Sequence, residues 1–170
     1  IYGLKYAAAA FTNLSHDHLD YHKTFKAYRD VKKKFFDSLS KSTFSITNAD
    51  DKNGSYMIQN TKSKPFSYSL NSNSDFSLKI LEKDFNGMKI LINKTELWTK
   101  LTGKFNAYNI LSVFAIAKEF GYSDYQVLTA LSLLETAEGR FERIQSRSIT
   151  AIVDYAHTDD ALKNLSLIHI

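Results

Sequence analysis

An α/β fold, a sheet with flanking helices plus a small antiparallel meander, is what this sequence predicts, and three observations carry the expectation. Strand-like and helix-like segments alternate through residues 6–69. An Asn86-Gly87 pair then sits between two apolar runs, the strongest short signal for a hairpin. Beyond it, residues 107–120 are apolar nearly all round, the mark of a helix buried against a sheet.

Residues 6–12 predict a short buried strand, because an Ala-rich apolar run stops abruptly at the polar Asn13 and Ser15. Alanine itself is a weak strand former, so the switch in polarity carries the assignment. Thr24 offers a capping oxygen to a helix running to about Leu39, with Phe25, Tyr28, Phe35 and Phe36 at mostly helical spacing. Residues 43–47 predict a strand, and Asn48-Ala49-Asp50-Asp51 a turn whose side chains bond their own backbone. A short helix near 53–61, a strand at 65–69 and a loop over 71–74 follow. Strands at 76–81 and 88–92 flank the hairpin turn, and 95–101 extends the meander. Gly103 ends it. Two helices come next, over 107–120 and 125–135, separated by Gly121-Tyr122-Ser123. Gly139 closes that pair, and strands at 141–146 and 149–153 lead into a helix from about Asp159. The chain therefore divides into a block over 1–138 and a new strand-loop-helix unit over 139–170.

Composition narrows the classes. With 44% hydrophobic and 14% aromatic residues the chain can build a core, which excludes global disorder. No apolar run reaches the roughly 18 residues of a membrane span. The first residue is Ile1 rather than methionine, and the expectation is a chain that begins inside a longer protein. Zero cysteines exclude disulfides and thiolate metal sites, and fit a cytoplasmic protein. The net charge of +4 is spread out apart from Lys32-Lys33-Lys34, whereas a nucleic-acid binder concentrates its basic residues on one face.

Several positions carry chemistry, each with a plainer reading beside it. His16-Asp17-His18-Leu19-Asp20-Tyr21-His22 packs three imidazoles and two carboxylates into seven residues. It reads either as a metal or phosphate site, with His18 as the ligand, or as a loop that caps the next helix. With no second His or Cys cluster, a hard cation such as Mg2+, held by few protein groups plus phosphates, suits it better than zinc. Lys32 reads as a solvated charge, or as a partly buried amine sharing the apolar side of its helix with Phe25, Tyr28, Phe35 and Phe36. Asn106 reads as a helix N-cap and Asn109, one turn in, as a group at the same helix mouth, where anions and polar ligands are favoured. Arg140, Asp154 and His157 stand at a strand-loop-helix junction, where open α/β sheets place ligands or merely turn the chain.

In this order the pieces resemble the Mur ligase superfamily. Phe11-Thr-Asn-Leu-Ser-His-Asp-His-Leu-Asp-Tyr-His22 has the E-type wording, and Thr47-Asn-Ala-Asp-Asp51, the segment from Gly103 to Asn109, Gly139-Arg-Phe-Glu142 and Val153-Asp-Tyr-Ala-His-Thr158 follow at suitable spacing. The resemblance implies the back of a central ATPase domain followed by the start of a Rossmann-like C-terminal ligase domain. It implies an ATP- and Mg2+-dependent ligase of peptidoglycan synthesis, cytoplasmic and monomeric. Such an enzyme adds a diamino acid to a UDP-N-acetylmuramoyl dipeptide through an acyl phosphate, with neither nucleic acid nor membrane as partner. By the same resemblance His18 binds Mg2+, and Lys32, fourteen residues later, is carbamylated and helps position the metal. Asn106 and Asn109 match the adenine-side pair, Arg140 and Asp154 the ribose or linker contacts, and His157 lies close to the nucleotide.

The departures are informative. No Gly-x-x-Gly-Lys-Thr phosphate loop occurs, and Asp159 stands where the family usually has proline. The tail after Asn164 no longer reads like the family. The expectation is a fragment carrying half of an ATP site and inactive alone. A folylpolyglutamate or cyanophycin type of ligase and a non-catalytic nucleotide-binding module remain as alternatives.

Overall fold

The computed structural model describes residues 3–15, 23–147 and 149–166. Its centre is a six-stranded sheet in sequential order: β1 (Ala8–Phe11), β2 (Phe44–Asn48), β3 (Lys64–Ser69), β4 (Phe76–Asp84), β5 (Gly87–Ile92) and β6 (Thr95–Thr99). The first four strands run parallel and the last three form an antiparallel meander, β4 belonging to both. The predicted α/β class and meander are therefore present.

Strand alternation assigns the two faces. Ala9 and Phe11 lie opposite Ser45 and Thr47, so these four point one way, while Ile46 and its partner Phe66 point the other. On the Ile46 face lie α3 (Lys104–Glu119) and α4 (Asp124–Ser132). Together with Tyr68, Leu78, Met88, Ile90 and Ile92 they bury Ile110, Leu111, Phe114 and Leu131 in the larger core. A fully buried side chain of this size stabilises by about 1.5–3 kcal/mol. The predicted all-round burial of α3 is partial, since Val113 on its far side is half-exposed. On the Ala9 face α1 (Phe25–Asp37) and the short α2 (Gly54–Ile58) bury Phe36, Leu39 and Met57.

The local signals work as expected at several points. Thr24 caps α1, its hydroxyl accepting from the Ala27 N–H at 3.1 Å. Ser123 and Gln126 close a reciprocal capping box on α4. The hairpin forms, yet not through glycine at its tip. Phe85 and Asn86 make the turn while the Asp84 carboxylate accepts from the Asn86 and Gly87 N–H groups at 2.7 and 3.1 Å. Gly87 is instead the first residue of β5, where any Cβ would collide with the Thr99 carbonyl on β6. Gly54 has a similar reason: α2 starts so close to the end of β2 that a Cβ would meet the Asn48 carbonyl.

Beyond α4 a second, two-stranded antiparallel sheet pairs β7 (Glu142–Ser146) with β8 (Ile149–Val153), followed by α5 (Asp159–Ser166). Most of its side chains are exposed; Phe141, which precedes it, is buried. No helix among the described residues is long and apolar enough to cross a membrane.

Candidate active site at the strand ends

Parallel strands deliver their C-terminal ends to one edge of the sheet, and there the chain builds two adjoining cavities. The first, about 320 Å³, is lined by Thr12 and Asn13 after β1, by Asn48, Asp50 and Asp51 after β2, and by Lys104, Phe105, Tyr108 and Asn109 from the start of α3. The second, about 790 Å³, shares Asn13 and Asp51 with it. It continues past Leu14, Ser15 and Lys52 to His157, Thr158 and Asp159. One cleft thus runs from the mouth of α3 to the start of α5.

Side chains of the predicted Asn48–Asp51 turn hold the floor. Asn48 Nδ2 donates to the Thr12 carbonyl at 2.9 Å, joining the two loops. Asn48 Oδ1 accepts from the Asp50 N–H and Asp51 Oδ1 from the Asn53 N–H, the self-bonded turn expected from sequence. Asp51 Oδ2 reaches back to the Leu14 N–H at 3.1 Å. Asp50 is the densest node. Its carboxylate accepts from the Ser69 and Ser72 hydroxyls, the Leu70 and Asn71 N–H groups, Asn71 Nδ2 and the Tyr108 hydroxyl, at 2.6–3.2 Å. Burial pushes this carboxyl up, but the hydrogen bonds from Ser72, Tyr108, Leu70 and Ser69 outweigh it and hold the group far below the usual range. Burial and the Asp50 contact together push the Tyr108 hydroxyl well above its ordinary value.

The expected site residues separate in the structure. Asn109 lines the first cavity and His157 the second. Asn106 is not an N-cap: Gly103, at φ +91°, caps α3, and Asn106 sits inside the first turn with its amide donating to the Thr102 carbonyl at 2.8 Å. Its Oδ1 faces Asn109 Nδ2 at 3.4 Å, so the pair does meet. His157 Nδ1 is 2.8 Å from the Tyr155 carbonyl. A carbonyl only accepts, so Nδ1 is the donor in this contact. Asp154 turns both oxygens onto backbone, accepting from Phe141 N–H and Ala156 N–H at 2.7 Å each. The first bond holds Phe141 at φ +50°, a strained conformation for a bulky residue. Arg140 is exposed, its guanidinium 5.7 Å from the Tyr155 ring centroid.

Of the two readings of Lys32, the structure matches the solvated charge rather than the partly buried amine. Lys32 is exposed, with Nζ 5.4 Å from the Tyr28 ring centroid, and it lines neither cavity. Lys33 is the buried lysine, its Nζ bonded to Asp37 at 2.6 Å and to the Gln59 carbonyl at 2.5 Å. One residue is about 100° of helix rotation, enough to carry Lys33 rather than Lys32 onto α2. His18 and the rest of the 16–22 run lie outside the described residues. Among the described residues no three His, Cys, Asp or Glu side chains gather as a metal cage. The cleft is lined by oxygen-bearing side chains, Asn13, Asn48 and Asp51, and by no sulfur, a chemistry that suits a hard cation over a soft one, although the Asn48 and Asp51 oxygens already accept from backbone N–H groups. Asp50 and Tyr108 were missed as a pair because 58 residues separate them.

Comparison with known proteins agrees with this architecture. The family model described as the Mur ligase middle domain matches residues 1–117. The UDP-N-acetylmuramoyl-L-alanyl-D-glutamate–2,6-diaminopimelate ligase of Bacteroides thetaiotaomicron is 54% identical over 99% of this chain and 36% of its own length. The chain thus spans about a third of such relatives. A solved structure of a ligase of the same name superposes with TM-score 0.74 at 30% identity, over 94% of this chain and 35% of that one. The MurF ligase of Thermotoga maritima, solved in complex with ADP, shares the fold at TM-score 0.81 and 15% identity, over 96% of this chain and 39% of its own.

Proposed function

The chain belongs to the Mur ligase family, matching its middle-domain model over residues 1–117, and from that premise we propose that the whole protein is an ATP-dependent amide ligase. It joins 2,6-diaminopimelate to UDP-N-acetylmuramoyl-L-alanyl-D-glutamate, the reaction for which a relative 54% identical to this chain is named. The observation that carries the reading is the continuous cleft at the strand ends, with Asn109 at one end and His157 at the other.

In this reaction the dipeptide carboxylate takes the γ-phosphoryl group of ATP and ADP leaves. The amine attacks the acyl carbon, loses a proton, and inorganic phosphate departs as the amide forms. Positioning and electrostatics carry most of such a transfer. Asn106 and Asn109 would hold the adenine side, Arg140 and Asp154 the ribose or linker side, and His157 would lie close to the nucleotide. His18 would hold Mg2+, which when bound neutralises charge on the transferring phosphoryl group. Lys32 would carry a carbamate, an anionic oxygen donor made from its amine and CO2. The motif match supports Lys32 in this role rather than Lys33, whose amine is already bonded to Asp37 and to the Gln59 carbonyl.

The test uses the full-length enzyme. Phosphate release should require the UDP-dipeptide, ATP and Mg2+ together, with diaminopimelate preferred over lysine. Turnover on a folate or cyanophycin substrate instead would overturn the reading. Residues 1–170 alone are expected to be inactive. Lys32→Ala should lower kcat by about a hundred-fold or more, the scale of losing a charge-positioning group. Added short-chain carboxylate should restore part of it, and full activity in the variant would remove the carbamate role.

A further inference from the structure

We infer that Asp50 is a positioning residue for the nucleotide: through the Tyr108 hydroxyl it fixes the first turns of α3 against the turn after β2, and with them the cavity wall that carries Asn109. This rests on the ligase reading for its ligand, and on geometry for its logic. Asp50 and Tyr108 both face the first cavity, and the Tyr108 hydroxyl donates to Asp50 Oδ2 at 2.8 Å while accepting from Asn71 Nδ2 at 3.1 Å. Ser69 and Ser72 complete the cluster, so one carboxylate joins the end of β2, the β3–β4 loop and α3. A carboxylate has about four lone-pair sites, and six donors saturate them. The group is therefore oriented rather than free to swing.

The clamp is not needed to dock the helix. Ala107, Ile110, Leu111, Phe114 and Ala115 already bury its other side against the sheet. What apolar packing leaves open is rotation and axial position of the first turns. Small displacements there move Asn109 directly, and binding groups lose much of their value when misplaced by about 1 Å. A polar clamp beside the cavity removes that freedom.

Kinetics of the full-length enzyme test it. Tyr108→Phe removes one oxygen and keeps the ring. It should raise KM for ATP about ten-fold, with kcat and the KM of the UDP-dipeptide and diamino acid within about two-fold, the loss expected for one charge-assisted hydrogen bond acting on one substrate. Asp50→Asn should move the same parameter, and the double variant should add little to the larger single effect, because the two groups act as a unit. An unchanged KM for ATP in Tyr108→Phe overturns the inference, as does a parallel loss in all four parameters, which marks a structural role only. If Asp50→Asn fails to fold, Tyr108→Phe decides alone. Wild-type enzyme without ATP-dependent turnover would instead overturn the ligase reading. Calorimetry with ATP and Mg2+ on wild type and Tyr108→Phe then decides the positioning role, a ten-fold or so rise in Kd upholding it and equal Kd overturning it.

Discussion

The two walls of the cleft are held by different means. The wall formed by the β1 and β2 turns and the mouth of α3 stands on the larger core, where Ile46, Phe114 and Leu111 have no exposure. The opposite wall, from Gly139 to Asp159, rests on a two-stranded sheet whose Ile144 is 51% exposed. It is held at single points: Asp154 on the Phe141 and Ala156 N–H groups, and Arg143 on the hairpin tip at Phe85 O and Asn86 Oδ1, 3.0 and 2.7 Å away. Two strands alone are marginal in water. The first wall thus keeps its shape by apolar burial spread over many residues, and the second by one buried ring, Phe141, and a few directed polar bonds.

Substitutions in the full-length enzyme can break or sharpen that contrast. Phe114→Ala should destabilise the first wall by about 3–5 kcal/mol, against about 0.5 or less for Ile144→Ala in the second. Denaturant unfolding of the two variants side by side checks it, and equal losses would erase the distinction. Gly54→Ala should cost about 1–3 kcal/mol, because the new Cβ meets backbone that cannot turn aside. Asp154→Ala should cost about 1 kcal/mol, yet its effect should be local: faster amide hydrogen exchange over residues 139–156 with β1–β6 unchanged. Exchange rising equally in both regions would mean that the two walls are one cooperative unit.

The smallest expected effect is on pH dependence. The Asp50 carboxyl lies far below its ordinary value in the fold, its hydrogen bonds outweighing burial. Its stabilising contribution is complete above the unfolded value of about 3.9 and is lost as pH falls below that toward the native value. The thermal-stability lead of wild type over Asp50→Asn should therefore hold from neutral pH down to about 4 and shrink beneath it. A lead that persists unchanged to about pH 2 would show that the carboxylate charge plays no part.

Much of the first wall was legible in the chain. The polar switch after Phe11 places the end of β1, and the Asx-rich turn after β2 bonds its own backbone as its composition implies. Both signals are local, and local signals survive folding when nothing distant competes. Asn86-Gly87 marks a real hairpin, but for the wrong reason: the glycine answers to the Thr99 carbonyl, a constraint from the next strand. The apolar pattern marks the start of α3 three residues late, because Lys104, Phe105 and Asn106 carry no helical periodicity and only Gly103 marks the cap.

By itself the sequence determined the family, the order of strands and helices and the meander, since motifs and periodicities are properties of neighbours along the chain. Only the tertiary structure decided that Lys33 and not Lys32 is buried, that the cleft is continuous from Asn109 to His157, and that Asp50 belongs to Tyr108. Those depend on which helix face meets which strand end. Contacts spanning 26 residues for Lys33 and Gln59, or 58 for Asp50 and Tyr108, leave no trace in local spacing.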